Sequence, residues 1–291
     1  IKIAVIVLLN GQSASGLKFD GINDYIDCGN AITASLATAN KFTFETWVKT
    51  NNVSTGQLIF GNHSTENTGA SQASLRIVND RYEILLGHGN YSLMTPPGSV
   101  IANTWQHVAA SWDGTNLKIF INGVLSNSLV ISSYNLSNTN EKMYFGKNVY
   151  NEIFSGMIDE TRIWNIALTD TEIQNSYNCE IANQAGLIAY YRFNQGTSGV
   201  DNTALTTLTD LTTNTNNGTL YNFNGRGFSQ IVTENHRMMY RNRSGQNKEK
   251  LAKDFPIGKL GSEFITSTFK NGDKTSLTDY EKFLIALQAD G

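Results

Sequence analysis

The sequence predicts an all-β protein made of antiparallel strands. Its 291 residues include only 3 prolines against 25 glycines, and 14 Phe, 12 Tyr and 4 Trp supply the aromatic side chains that strands favour. Over residues 16–223, short alternating runs are separated by Asn-Gly, Asp-Gly and Gly-Asn pairs, which are typical of hairpin turns. The length is enough for the core of one large domain or two modest ones. The formal charge of -3 argues against a nucleic-acid or anionic-membrane partner for the whole molecule.

Strand patterns follow one another along residues 42–121. A period of two places Phe42, Phe44 and Val48 on one face and Glu45 and Trp47 on the other, which predicts a strand with one face in a core. Further short runs predict strands at 57–60, 73–78, 82–86, 105–112 and 117–121. Asp-Gly and Asn-Gly pairs follow the last two runs, and this meander predicts a sandwich of two sheets.

One short helix is predicted after this meander. Thr169 and Glu172 form a capping box, so the helix should begin there and end near residue 177. Strand patterns resume at 186–193, and the Thr- and Asn-rich residues 202–218 predict a long surface loop before a last strand at 218–223.

Residues 1–15 have the pattern of a secretory signal peptide. Lys2 is followed by a short apolar run and then by small polar residues. The run is shorter than the roughly 20 residues that span a bilayer, so no membrane span is expected. This pattern predicts a secreted or cell-surface protein, and the alternative is a buried first strand.

The composition changes after residue 225. Residues 226–291 hold 11 of the 22 basic residues and only 8 acidic ones. The basic run lacks interleaved aromatic residues, which argues against nucleic-acid binding and favours a solvated linker. An apolar stripe predicts a helix at 279–287, so this segment is an unassigned, basic and partly helical tail.

Five motifs resemble, in sequence and in order, those of the laminin-G-like family of concanavalin A-like jelly rolls. They lie at residues 17–26, 42–48, 105–108, 119–123 and 156–164. The resemblance implies a two-sheet antiparallel jelly-roll sandwich at residues 16–225. Residues 187–193 and 217–220 look like the family's opening strands, although here they follow the body of the domain. They either close this sandwich or begin a second copy, and closure is the preferred interpretation.

Catalysis is not expected. Hydrolases of this superfamily use two carboxylates spaced two or four residues apart on one strand, so that both face one groove. Asp159 and Glu160 are adjacent, and on a regular strand they would point to opposite faces. The four histidines share no metal-ligand spacing.

The predicted function is therefore a non-catalytic binding module, most simply for carbohydrate. Aromatic rings and amides in loops are the groups that hold sugars, and the candidates are Asn62, His63, Tyr91, Tyr134 and Tyr150. The alternative for each tyrosine is that it has no role in binding, because a single exposed tyrosine in a loop is often not a ligand residue. The alternative function is a structural adhesion domain that contacts a cell-surface protein, and a module associated with a glycan hydrolase is less favoured.

A structural calcium ion is the predicted cofactor. Asp20 and Asp24 lie in one tight turn, and in the family that the sequence resembles the strand carrying Asp159 runs close to that turn. These carboxylates, with the Gly21 carbonyl, would supply the oxygen ligands that calcium prefers. The alternative is ordinary turn chemistry, in which Asp bonds its own backbone.

Cys28 and Cys179 are predicted to form a disulfide, because secretion would expose them to an oxidising compartment. The alternative is two separate buried thiols.

Overall fold

The computed structural model describes residues 15–62, 73–87, 90–132, 134–136, 141–195 and 204–223, together with the backbone of four later strands. Its core is a sandwich of two antiparallel eight-stranded sheets. Two α-helices lie among the described residues. None of the described helices is long and apolar enough to cross a membrane.

Sheet A has the strand order β10-β9-β8-β3-β12-β1-β16, and β13 also pairs with β12. Its strands are β1 (Ser15–Asp20), β3 (Phe42–Thr50), β8 (Gln106–Trp112), β9 (Asn116–Ile121), β10 (Val124–Val130), β12 (Ser155–Trp164), β13 (Leu187–Tyr191) and β16 (Phe228–Gln230).

Sheet B has the strand order β14-β15-β2-β11-β4-β5-β6-β7. Its strands are β2 (Tyr25–Asp27), β4 (Gln57–Gly61), β5 (Ala73–Val78), β6 (Arg81–Leu86), β7 (Tyr91–Met94), β11 (Tyr144–Phe145), β14 (Thr207–Leu208) and β15 (Gly218–Tyr221).

The core lies between the inner faces of the two sheets. Phe42, Phe44 and Val48 on β3 are fully buried, as their alternation predicts. The Phe44 ring lies 5.0 Å from that of Phe60 on β4, which in turn lies 5.2 Å from Phe145 on β11. The first contact joins the two sheets, and the second lies between neighbouring strands of sheet B.

The two helices differ in how clearly the sequence encodes them. Helix α2 (Asp170–Ser176) has the predicted capping box between Thr169 and Glu172. Helix α1 (Ala31–Ala39) was not predicted, because its N-cap Asn30 makes no side-chain capping bond and its residues are mostly Ala and Thr. It ends at Asn40, whose positive φ of 50° favours asparagine or glycine.

The C-terminal part of the domain closes the sandwich. Strand β13 pairs with β12 in sheet A, and β15 pairs with β2 in sheet B. These strands therefore close the sandwich, as predicted, and do not begin a second copy of it. The predicted surface loop at 202–218 contains the short strand β14, with Leu208 fully buried. Strand β16 pairs with β1, so sheet A extends beyond residue 225.

The segment after residue 225 contains strands where a solvated linker was predicted. Strands β17 (Arg237–Arg241), β18 (Asn247–Leu251) and β19 (Glu263–Phe264) form a three-stranded antiparallel sheet. The predicted helix at 279–287 lies outside the described residues, as do residues 1–14 of the predicted signal peptide. Ser15 is the first residue of β1.

Candidate functional site

Three tyrosines lie together on the outer face of sheet B, and we call Tyr25, Tyr144 and Tyr221 the tyrosine cluster. They come from β2, β11 and β15, and each is next to a residue buried in the core, respectively Ile26, Phe145 and Leu220. Since side chains alternate along a strand, the tyrosines point away from the core. The pairing of β2 with both β15 and β11 then brings the three rings together.

The rings of the cluster form a continuous aromatic surface. Tyr25 and Tyr221 are stacked, with centroids 4.6 Å apart and ring planes 6° apart. Tyr144 lies on the other side of β2, with its centroid 6.4 Å from that of Tyr25. Tyr221 is 40% exposed and is the most exposed of the three tyrosines.

Two lysines border the cluster. Lys142 Nζ lies 2.7 Å from Asp27 Oδ2, and this ion pair lies beside Tyr144, the cross-strand neighbour of Asp27. Lys147 Nζ lies 5.1 Å from the centroid of the Tyr25 ring, which is a cation–π distance. The surface therefore combines aromatic faces, one ion pair and one further cation.

The hydroxyl groups of Tyr25 and Tyr144 stay protonated at neutral pH. Burial raises the pKa of Tyr25 and of Tyr144 above the ordinary value of a tyrosine. Within the described part of the chain, no hydrogen bond to the three hydroxyls occurs. Each hydroxyl can thus donate one hydrogen bond and accept others from a ligand or from water.

Two of the predicted ligand residues pack against the core instead. Tyr91 and Tyr134 contact each other in a T-shaped arrangement, with centroids 5.7 Å apart, and both pack on the main core. Tyr134 also lies against Trp112 and over Gly87, where a side chain would collide with its ring. Their rings contribute to stability, so the prediction that they form a ligand plate is not supported.

The other predicted ligand residues are dispersed. Asn62 is buried, and its Oδ1 accepts a hydrogen bond from the backbone of Ala73. Tyr150 is 57% exposed in the loop that follows β11, three residues after Lys147. His63 lies outside the described residues.

The predicted calcium ligands are not brought together. Strand β1 pairs with β12 so that Asp20 lies opposite Ser155 and Leu17 opposite Ile158. Asp159 therefore lies four residues farther along β12 than the partner of Asp20, which is about 13 Å at the usual rise per residue. The prediction that Asp20, Asp24 and Asp159 share one ion is wrong, and the described residues contain no metal-type cluster of three or more acidic, His or Cys side chains.

Turn chemistry accounts for Asp20 and Asp24. Asp20 Oδ1 accepts hydrogen bonds from the backbone of Ile22 and Asn23, and Asp24 Oδ2 accepts one from the backbone of Asp20. Gly21 has a positive φ of 77°, as a tight turn requires. Calcium as a cofactor of the protein stays a prediction.

The two cysteines are free thiols, so the predicted disulfide is absent. Cys28 follows β2 in the core, beside Gly218 and the Tyr191 hydroxyl, and burial raises the pKa of its thiol to about 12. Cys179 follows α2, and its Sγ lies near the carbonyls of Asn175 and Ser176. The thiols belong to different layers, because Cys28 lies between the sheets whereas Cys179 lies over the outer face of sheet A.

The outer face of sheet A carries a second polar cluster, and it is closed to solvent. Glu45, predicted to face outward, is fully buried, and its Oε2 accepts a hydrogen bond of 2.8 Å from Trp164 Nε1. Trp47 donates its indole N–H to the Tyr177 carbonyl just after α2, so the residues that follow this helix cover the face. His107 lies 3.7 Å from Glu45, and burial lowers the pKa of the imidazole, which is therefore neutral.

A β-bulge changes the predicted orientation of Asp159 and Glu160. The register of β12 against β3 shifts between Asp159 and Arg162, and Glu160 has a φ of 47°. Glu160 thus contacts Arg162 and Tyr190 on the outer face, where Asp159 is paired with Trp47. The prediction of opposite faces is wrong for this reason.

This acidic pair is unsuited to hydrolysis in the arrangement observed. Asp159 and Glu160 are both buried, and burial raises the pKa of each carboxyl. Glu160 is held by Arg162 and by the Tyr190 hydroxyl. The two residues are only 3% and 1% exposed, so their carboxyl oxygens are shielded from solvent.

The sequence and the fold both have counterparts among known proteins. A family model for the concanavalin A-like lectin/glucanases superfamily matches residues 20–174. The chain belongs to this superfamily. No curated protein sequence matches it.

Several solved structures are similar to this chain at low sequence identity. A candidate carbohydrate-binding protein from Bacteroides ovatus has a TM-score of 0.57 and 21% identity, over 75% of this chain and 60% of that one. The CBM40 module of a Ruminococcus gnavus IT-sialidase, bound to α2,3-sialyllactose, has a TM-score of 0.46 and 17% identity over 57% of this chain and all of that one. Domain 4 of an extracellular arabinanase from Geobacillus stearothermophilus, in complex with arabinotriose, has a TM-score of 0.38 and 22% identity, over 57% and 73%. The likeness to the Bacteroides ovatus protein concerns the fold alone.

Proposed function

We propose that the chain is a non-catalytic carbohydrate-binding module and that its ligand lies on the tyrosine cluster. The observation that carries this proposal is the stacked pair of Tyr25 and Tyr221 on the outer face of sheet B, extended by Tyr144. A sugar ring has an apolar face of C–H groups that packs on an aromatic ring, and its hydroxyls need hydrogen-bonding partners at the edge. The cluster supplies both.

The scaffold around the cluster favours binding with little rearrangement. The three tyrosines lie on hydrogen-bonded strands, and the adjacent Ile26, Phe145 and Leu220 are buried in the core. Ring positions set by strands lose little conformational entropy when a ligand binds. Membership of a superfamily of lectins and glucanases is consistent with this role.

We further propose that the protein acts outside the cytoplasm. Support comes from the signal-like pattern of residues 1–15 and from the glycans that such a module would meet at a cell surface.

Protein contact is a second candidate function, favoured by one observation. Strand β10 is an edge of sheet A, and Val124 and Val130 on it are 62% and 71% exposed. An exposed strand edge with apolar side chains can pair with a strand of another protein. This surface is separate from the tyrosine cluster, which belongs to sheet B.

A glycan array probed with the whole chain tests the proposed function. We expect retention of one related group of glycans at micromolar protein concentration. An array that includes neutral and acidic oligosaccharides and shows no retention would contradict carbohydrate binding and leave protein contact as the stronger candidate.

A further inference from the structure

We infer that the ligand of the tyrosine cluster is an acidic glycan, with a carboxylate that pairs with Lys147. This inference rests on the proposed function and specifies the class of its ligand. It follows from the charges that border the cluster and from their partners.

The two lysines beside the cluster differ in their partners. Lys142 Nζ is 2.7 Å from Asp27 Oδ2, so its charge is already neutralised by a carboxylate. Asp27 is itself fixed, since its Oδ1 accepts a hydrogen bond from the backbone of Gly29. Lys147 has no carboxylate partner among the described residues, and its contact is the face of the Tyr25 ring. Lys147 is therefore a positive charge at the cluster with no ion pair among the described residues, and the other acidic group nearby, Glu141, acts on Tyr144 on the far side of β2.

The position of Lys147 relative to the rings defines the shape of the ligand. Tyr221 is stacked on one face of Tyr25, so Lys147, which lies over the same ring, must occupy the other face. A sugar packed on the exposed face of Tyr221 cannot reach Lys147 by itself, because the Tyr25 ring lies between them. The arrangement fits an oligosaccharide of two or more sugars, with the acidic group on a sugar beyond the one that stacks.

Charge complementarity favours a carboxylate over a neutral hydroxyl at this position. Hydrogen bonds between an ammonium and a carboxylate are roughly twice as strong as neutral ones, and the half-buried position of Lys147 reduces the cost of ordering its side chain. The pair would lie at the surface, so its strength should fall with ionic strength. A loss of about tenfold in affinity is expected when the charge is removed.

Two polyuronates serve as probes: polygalacturonate and alginate, each paired with its own carboxyl-reduced, neutral form. The whole chain is titrated with each polymer, and affinity is measured by biolayer interferometry at 50 mM and 300 mM NaCl. We expect at least one polyuronate to bind about tenfold tighter than its neutral form, with the difference shrinking at high salt.

Variants connect that preference to Lys147. K147Q should remove the preference for the charged polymer over its neutral form, while K147R should retain it. K41Q is the matched control, since Lys41 is exposed before β3 and the substitution removes the same charge outside the cluster. Melting temperatures within 2 °C of the wild type, roughly the effect of under 1 kcal/mol, confirm intact folding.

Different failures overturn different statements. Equal affinity for the charged and neutral forms, or a preference that K147Q leaves unchanged, overturns the inference that the ligand is acidic. The proposal that a sugar binds the tyrosine cluster is not affected by that result. Binding of neutral glycans only has the same meaning. If no glycan binds the chain at all, the proposed function fails together with this inference.

Discussion

Replacing Asp24 with asparagine should change how the stability of the sandwich depends on pH. The Asp24 carboxyl is only 4% exposed, and its Oδ1 has no partner among the described residues. Its Oδ2 accepts a hydrogen bond of 2.8 Å from the backbone of Asp20. Burial raises the pKa of Asp24 from 3.8 to about 6, because the ionised form loses its hydration.

The sign of the effect follows from proton binding. Between pH 3.8 and about 6 the folded protein holds a proton on Asp24 that the unfolded chain has released, so the free energy of unfolding falls as pH rises through this window. The difference between the two pKa values of Asp24 corresponds to a loss of at most about 3 kcal/mol in the free energy of unfolding above pH 7. D24N keeps an oxygen that accepts from the Asp20 N–H and carries no charge to bury.

Urea unfolding at pH 4.0 and pH 7.5, followed by tryptophan fluorescence, measures the effect. We expect D24N to be more stable than the wild type by about 2 to 3 kcal/mol at pH 7.5, and by much less at pH 4.0. Asp80→Asn is the control, since it makes the same substitution in the turn between β5 and β6. An equal change at both pH values, or a loss of stability confined to pH 7.5, would refute the reasoning.

Three further substitutions test the packing. Gly61→Ala should destabilise the fold by about 1 to 3 kcal/mol in urea unfolding, because a Cβ at this position would lie 2.4 Å from the Ser74 Cα. An unchanged urea midpoint would show that β4 and β5 can move apart without cost. Thr169→Ala should cost about 1 kcal/mol through loss of the capping box, whereas a serine replacement should cost little. Arg162→Met should cost about 3 kcal/mol at pH 7.5 and less at pH 4, where Glu160 can take up a proton; a loss that ignores pH would argue against this ion pair.

Much of the fold was predictable because local signals agree with it. The alternation in residues 42–49 predicts a strand and the capping box at Thr169 predicts a helix, each from a few neighbouring residues. Helix α1 lacks such a signal and depends on the burial of Ile32 and Leu36 in the core. The bulge at Glu160 was not predicted either, since nothing in the sequence of β12 distinguishes it from a regular strand.

The candidate site was less accessible to prediction. Period two within residues 25–27 is enough to place Tyr25 on the face opposite Ile26. The partners of Tyr25 are Tyr144 and Tyr221, which lie more than a hundred residues away and meet it only through the pairing of β2 with β11 and β15. Loop position suggested Tyr91 and Tyr134 instead, but both pack on the core.

Calorimetric titration of Tyr221→Ala against the glycan that the array selects tests the central claim most directly. Tyr221 is exposed at the surface of β15, so the variant should fold, and loss of its stacking face should weaken binding at least tenfold. Tyr150→Ala is the matched control, because it removes another exposed tyrosine outside the cluster and should leave affinity within twofold of the wild type. Unchanged affinity in the folded Tyr221→Ala protein, or a larger loss from Tyr150→Ala, would contradict binding at the tyrosine cluster.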